Sequence, residues 1–123
     1  MDERKISVSK AKTLSDSIFA TGFPYENREI NLPYFNAMSL KTKGGRRLGA
    51  ASLDLAYLAA GKVDVFWEFG LKPWDIAAGA LIVEEAGGLV SDTNGNLLDL
   101  FGSDILASNG KVHTETVKLM SKL

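Results

Sequence analysis

Glu68 and Asp75 are the acidic residues whose placement could do chemistry. They stand seven positions apart, Glu68 at the end of one apolar run and Asp75, after Pro73-Trp74, at the head of another. One carboxylate that closes a strand and another that opens a helix suit a hydroxylated or phosphorylated ligand, with or without a metal ion. Each also has a plainer account. An acid in the first turn of a helix is favoured by about 0.3–1 kcal/mol through the helix dipole. The alternative for Asp75 is a hard oxygen ligand for Mg²⁺, which takes one or two carboxylates plus water and substrate phosphate. Glu68 either pairs with a cation or accepts hydrogen bonds from ligand hydroxyls. Gly49-Ala50-Ala51 offers the free backbone N–H groups of a helix start, which suit an anion or polar ligand but also mark any helix.

Other chemistries lack their residues. There is no glycine-rich phosphate loop with lysine and no zinc spacing. The single histidine, His113, stands near the start of a C-terminal helix and reads as a surface residue, because no nucleophile accompanies it. With no cysteine there is no disulfide framework and no thiolate chemistry. A formal net charge of −1 argues against a nucleic-acid surface, and the basic run Lys41-Thr42-Lys43 reads as a solvated loop.

The elements that must position these residues follow from pattern. At 123 residues and 46% apolar, the chain suits one α/β domain able to bury a core. Ile6-Ser7-Val8 alternates like a short strand, and Ser17 to Gly22 is a second strand stopped by Gly22 and Pro24. Thr21 and Gly22 are thereby strand-end residues. Asn27 to Ser39 forms a helix if Pro33 falls in its first turn. Ala50 to Ala60 is a helix closed by Gly61; it is apolar almost all round except Ser52 and Asp54, and so is expected between layers. Val63 to Phe69 is a strand on which Asp64 and Glu68 share a face. Pro73 to Ala86 is a helix stopped by Gly87-Gly88, and Gly79 within it costs roughly 1 kcal/mol that close packing would offset. Leu89-Val90-Ser91 and Leu97-Leu98 flank Asn94-Gly95 as a hairpin with two left-handed turn residues. Ile105 to Ser108 is a final strand, and Val112, Thr116, Leu119 and Leu123 form the stripe of a terminal helix. Alternating strands and helices predict an α/β layered mixed sheet with helices on both faces.

The longest apolar run, Ile76 to Val83, is far too short to span a bilayer. Met1-Asp2-Glu3-Arg4-Lys5 does not resemble a signal peptide. A soluble cytoplasmic protein that makes no membrane contact is the expectation.

Arg46-Arg47-Leu48-Gly49-Ala50-Ala51-Ser52-Leu53-Asp54-Leu55-Ala56, Gly61-Lys62-Val63-Asp64, Trp67-Glu68, and Lys72-Pro73-Trp74-Asp75-Ile76-Ala77-Ala78-Gly79 through Glu85-Ala86-Gly87-Gly88 closely resemble the inositol monophosphatase family. Thr21-Gly22-Phe23-Pro24 resembles its bacterial branch. The resemblance implies the C-terminal half of the sugar-phosphatase fold, with Asp75 as a ligand of catalytic Mg²⁺ and Glu68 bound to a sugar or inositol hydroxyl. It places Gly49, Ala50 and Ala51 at the ligand-lining helix start and Thr21 and Gly22 near substrate. Arg46 and Arg47 are left to packing, ion pairs or a subunit contact.

The family chain is about twice as long, so the resemblance also implies that residues 1–123 lack an N-terminal metal-binding half. Missing are a glutamate that positions metal and water and an Asp-Pro-x-Asp-Gly-Thr segment. No complete catalytic set is expected here, and Met1 joined to a mid-family strand suggests a truncated piece, a fragment or a split gene product. The implied activity is Mg²⁺-dependent hydrolysis of inositol monophosphate or a related sugar phosphate, restored by the missing half and nearly absent without it. Sugar bisphosphates and nucleotide 3′-phosphates are the rival substrates, and a non-catalytic, self-associating assembly module is the rival class.

Overall fold

The computed structural model describes residues 6–24 and 26–123. The expectation about Met1 to Lys5 lies outside them. Two short 3-10 turns, Leu14–Asp16 and Arg28–Asn31, precede or join regular elements: β1 (Ile18–Thr21), α1 (Leu32–Lys41), β2 (Gly44–Arg46), α2 (Ala51–Ala59), β3 (Val65–Phe69), α3 (Pro73–Glu85), β4 (Leu89–Ser91), β5 (Asp104–Ser108) and α4 (His113–Met120). The five-stranded sheet has the order β2-β1-β3-β5-β4. β1 runs parallel to both β2 and β3, whereas β5 pairs antiparallel with β3 and β4. The sheet is mixed, as expected.

Period-two alternation sends successive strand residues to opposite faces. Ala20, Phe66, Ile105 and Ala107 meet Leu55, Leu58, Ile76 and Val83 of α2 and α3 on one face. Phe19, Val65, Trp67 and Leu106 meet Met38 of α1 and Val112 and Met120 at α4 on the other. Helices therefore cover both faces. Gly79 permits the close approach of α2 and α3: a Cβ there would lie 2.6 Å from Leu55 Cδ1 and 2.8 Å from its Cβ. Close packing accounts for that glycine.

Several expectations need correction. Ile6 to Val8 form no strand; they run beside the domain, with Val8 N–H donating to Ala86 O at 3.1 Å. The end of the basic loop is a strand, β2, in which Gly45 pairs with Phe19. A Cβ on Gly45 would fall 2.3 Å from the Phe19 ring, so the residue that weakens strand propensity is the one the aromatic packing requires. Leu97-Leu98 is not a strand, and β4 pairs with β5 instead. In the intervening turn only Gly95 is left-handed, at φ 85°. Asp92 Oδ1 shapes it by accepting from Asn94 N and Asn96 N, both at 2.9 Å. α2 is buried on one side only, for Leu53 and Tyr57 are exposed. Asp64 lies just before β3, where its carboxylate accepts from Ile18 N at 2.7 Å and from Ser9 Oγ.

His113 is not a surface residue. It is 4% exposed, with Nε2 2.7 Å from Ser91 Oγ and Nδ1 2.7 Å from Ser108 Oγ. The Ser91 hydroxyl also reaches Asp92 O at 2.7 Å, and a carbonyl only accepts, so that hydroxyl donates there and accepts from His113 Nε2–H. Ser108 Oγ accepts from Gly110 N and gives its own hydrogen to Nδ1. The neutral Nε2–H tautomer thus satisfies β4, β5 and the start of α4 together. Burial lowers the His113 pKa below the usual histidine value. Unfolded chains therefore take up a proton that the native state refuses, and stability falls as pH drops below about 6.5. Urea titrations at pH 7.5 and pH 5.5 should show this loss, and His113→Gln should remove that part of the slope.

Candidate active site

The ends of β1 and β3 and the start of α2 lie on the same side of the domain, and a cavity of about 510 Å³ opens there. That volume is in the range of small-molecule sites. Thr21, Gly22 and Phe23 come from the end of β1 and its following turn, Arg28 from the 3-10 turn before α1, and Glu68 from β3. Arg47, Gly49, Ala50, Ala51 and Asp54 come from the start of α2 and the segment before it. The fold thus gathers every residue that the family resemblance assigned to substrate into one lining. Asp75 is not in that lining. It sits half-buried in the first turn of α3, close enough for its charge to act on Glu68.

Local structure explains these placements. Gly49 adopts φ 92°, which brings the chain into α2 with Ala50 extended at its N-cap, where no side chain takes up the free N–H groups. Those donors border the cavity. Thr21 is buried, and its hydroxyl donates to Trp67 O at 2.7 Å. Asn31 Nδ2 donates to Thr21 Oγ1 at 3.1 Å and to Gly22 O at 2.9 Å, while its Oδ1 accepts from Trp67 Nε1 at 2.6 Å. A buried amide therefore ties the end of β1 to β3.

The cavity lining carries charges of both signs. Arg47 and Arg28 lie over the Phe23 ring, with guanidinium carbons 4.8 Å and 5.5 Å from its centroid. Arg47 therefore combines packing with a place at the cavity wall. Glu68 is pushed up to about 7 by burial first, then by the charges of Asp54 and Asp75, against the opposing pull of Arg47. Burial likewise pushes Asp54 up to about 7. Asp54 is 1% exposed, and among the described residues its Oδ1 has no hydrogen-bond partner. Asp54, Arg28 and Phe23 escaped the sequence reading as site residues. For Asp54 the signal was present, a lone acid on an apolar helix, but its direction depended on the strands beside it.

Gly22 packs against the Glu68 carboxyl so closely that a Cβ would stand 2.6 Å from Oε1. The obstacle is the end of a flexible side chain, so Gly22→Ala should alter stability by less than about 1 kcal/mol. It should instead displace the Glu68 carboxyl. We expect binding of a polyol ligand to weaken by about tenfold, measured by titration calorimetry beside a thermal melt.

A metal ion is poorly served by this chain alone. Among the described residues, no group of three or more acidic, histidine or cysteine side chains converges to hold one. Asp75 Oδ2 already accepts from Lys72 N at 2.9 Å, and Asp75 N–H returns a bond to Lys72 O. Asp75 can supply one carboxylate to an ion whose other ligands lie elsewhere.

The comparisons with known proteins agree with this geometry. The sequence model of the inositol monophosphatase family matches residues 1–123. A Pseudomonas aeruginosa protein named Nus factor SuhB is 49% identical over 116 residues, which are 90% of this chain and 43% of the relative. Inositol-1-monophosphatase of Synechocystis sp. is 44% identical over 118 residues, covering 94% of this chain and 41% of that protein. The solved structure of inositol monophosphatase from Anabaena (Nostoc) sp. superimposes with a TM-score of 0.94 at 40% identity, over 98% of this chain and 49% of that one. The chain thus spans less than half the length of these relatives. With the fold, the strand-end cavity and the family match in agreement, the chain belongs to the inositol monophosphatase family.

Proposed function

We propose that this chain forms the alcohol-binding side of a Mg²⁺-dependent phosphomonoesterase that hydrolyses inositol monophosphate or a related sugar phosphate. One observation carries the reading. Thr21, Gly22, Gly49, Ala50, Ala51 and Glu68, distant in sequence, line a single cavity together with Asp54, Arg28 and Arg47. In this reading Glu68 accepts hydroxyl hydrogens of the polyol, the free N–H groups of α2 border its oxygens, and the arginines favour an anionic ligand. Asp75 lends one oxygen to Mg²⁺, and the other ligands belong to the remaining half of the family chain. Bound Mg²⁺ would supply charge stabilisation for phosphoryl transfer.

Mixing this chain with the missing half and assaying phosphate release from inositol monophosphate tests the proposal. We expect Mg²⁺-dependent hydrolysis by the mixture, almost none by the chain alone, and abolition by Asp75→Asn. Hydrolysis by the mixture that ignores Mg²⁺ and Asp75→Asn would sink it. Running a sugar bisphosphate and a nucleotide 3′-phosphate beside the inositol ester decides among substrates.

A second reading, a non-catalytic assembly module, draws on the Pseudomonas aeruginosa relative, whose name is that of a Nus factor. The exposed side chains Leu53, Tyr57, Leu81 and Ile82 on α2 and α3 suit self-association or a partner. It predicts oligomers by sedimentation and a melting temperature that Mg²⁺ does not change. No helix among the described residues is long and apolar enough to cross a membrane.

A further inference from the structure

We infer that Asp54 is a second ligand-contacting carboxyl of the cavity, whose Oδ1 accepts a hydroxyl hydrogen beside the hydroxyl taken by Glu68, so that the pair selects alcohols with adjacent hydroxyls. The inference rests on the phosphomonoesterase reading and adds a specificity-determining residue to it.

Asp54 is 1% exposed, its Oδ1 finds no hydrogen-bond partner among the described residues, and the residue lines the same cavity as Glu68. Buried polar atoms are nearly always partnered, and an exception calls for an explanation. Dipole complementarity does not provide one. An acid in the first turn of α2 would gain that benefit equally well in solvent, without losing its hydration. The direction of the side chain is informative. Helical side chains lean toward the preceding turn, so Asp54 leans toward Gly49, Ala50 and Ala51, where the helix borders the cavity. Glu68 approaches the same space from β3, close enough for the Asp54 charge to act on it. A ligand that brings one hydroxyl to each would satisfy the orphan oxygen and relieve the pair. A single hydroxyl cannot serve both.

Two measurements test this. Free myo-inositol is titrated into the chain while the side-chain carboxyl carbons of Asp54 and Glu68 are followed by ¹³C NMR, with cyclohexanol as the control. We expect both carbons to shift saturably with one midpoint for myo-inositol and neither to do so for cyclohexanol. An unmoved Asp54 carbon overturns the inference, whether or not Glu68 responds. In the protein completed with its missing half, Asp54→Leu should raise KM for inositol monophosphate by about tenfold or more while kcat stays within about twofold. KM for a simple alkyl phosphate should be unchanged. Equal changes for both substrates, or none, would overturn it. If the completed wild-type protein hydrolyses neither ester, the phosphatase reading fails instead, and the NMR titration still decides the role of Asp54.

Discussion

Asp54→Leu should raise the unfolding free energy of this chain at pH 7.5 and leave it almost unchanged near pH 4. Native Asp54 is held up to about 7 by burial, whereas the unfolded residue titrates near its ordinary value of 3.8. The sign follows from proton counts. Between these values the native chain keeps a proton that the unfolded chain gives up, so stability is fully present below about 3.8 and is lost as pH rises through about 7. At a pH above both values the loss is on the order of 4 kcal/mol. Leucine removes the titration and replaces a carboxyl whose Oδ1 is unpartnered by an apolar group of similar size, which can be neutral or stabilising. Urea unfolding at the two pH values measures the difference. Equal effects at both would show that water solvates Asp54 in the native state. Asp54→Asn should recover part of the gain, because it discards the charge but keeps a buried polar group.

A gain of that size from deleting one side chain has a meaning for function. Natural proteins keep destabilising residues where a site needs them. Glu68 is held up in the same direction, and part of that comes from Asp54 itself. The cavity therefore carries two carboxyls whose full ionisation the fold resists. His113 has the opposite sign, since it favours the native state more strongly as pH rises through its ordinary range. Its two serine partners are in place, whereas Asp54 Oδ1 has none among the described residues. That contrast separates a histidine that staples the fold from a buried carboxyl that lines a cavity.

Legibility in the sequence followed the range of the interactions. α3 was readable because Pro73, Asp75 and Gly87-Gly88 mark its ends locally, and α2 because Gly61 closes it at φ 78°. β1 and β3 were readable from dense β-branched and aromatic residues. β2 was not, since its glycines argue against a strand until the Phe19 ring is placed over Gly45. The supposed hairpin failed because Asn94-Gly95 is a weaker influence than the pairing of β4 with β5. His113 misled for a similar reason: Ser91 and Ser108 flank it only after β4, β5 and α4 have packed. At the cavity, spacing alone left Glu68 and the start of α2 open between ordinary and ligand-binding accounts. The fold shows that they line one space, and it adds Asp54, Arg28 and Phe23, to which neither spacing nor resemblance had given a role at the site.

Asn31→Ala should be the most damaging single change at the base of this cavity, costing about 2–4 kcal/mol. Asn31 is fully buried, and its side chain donates to Thr21 Oγ1 and Gly22 O and accepts from Trp67 Nε1. Alanine leaves the Trp67 N–H and the Gly22 carbonyl without those partners, and a buried donor left unpaired costs more than the bond contributed. The harm should extend beyond stability. Gly22 sits against the Glu68 carboxyl, so freeing the end of β1 loosens the position of Glu68 as well. A double-mutant cycle with Trp67→Phe distinguishes a network from general packing. Trp67→Phe removes the same indole donor, so the double variant should be less destabilised than the two single changes added together, by at least about 1 kcal/mol. Strict additivity in urea titrations would mean that the Asn31–Trp67 hydrogen bond contributes nothing of its own. The coupling should also appear in ligand binding, because a polyol that engages Glu68 needs the end of β1 and the end of β3 held in one geometry. That amide, itself outside the cavity lining, therefore helps set how well the cavity is formed.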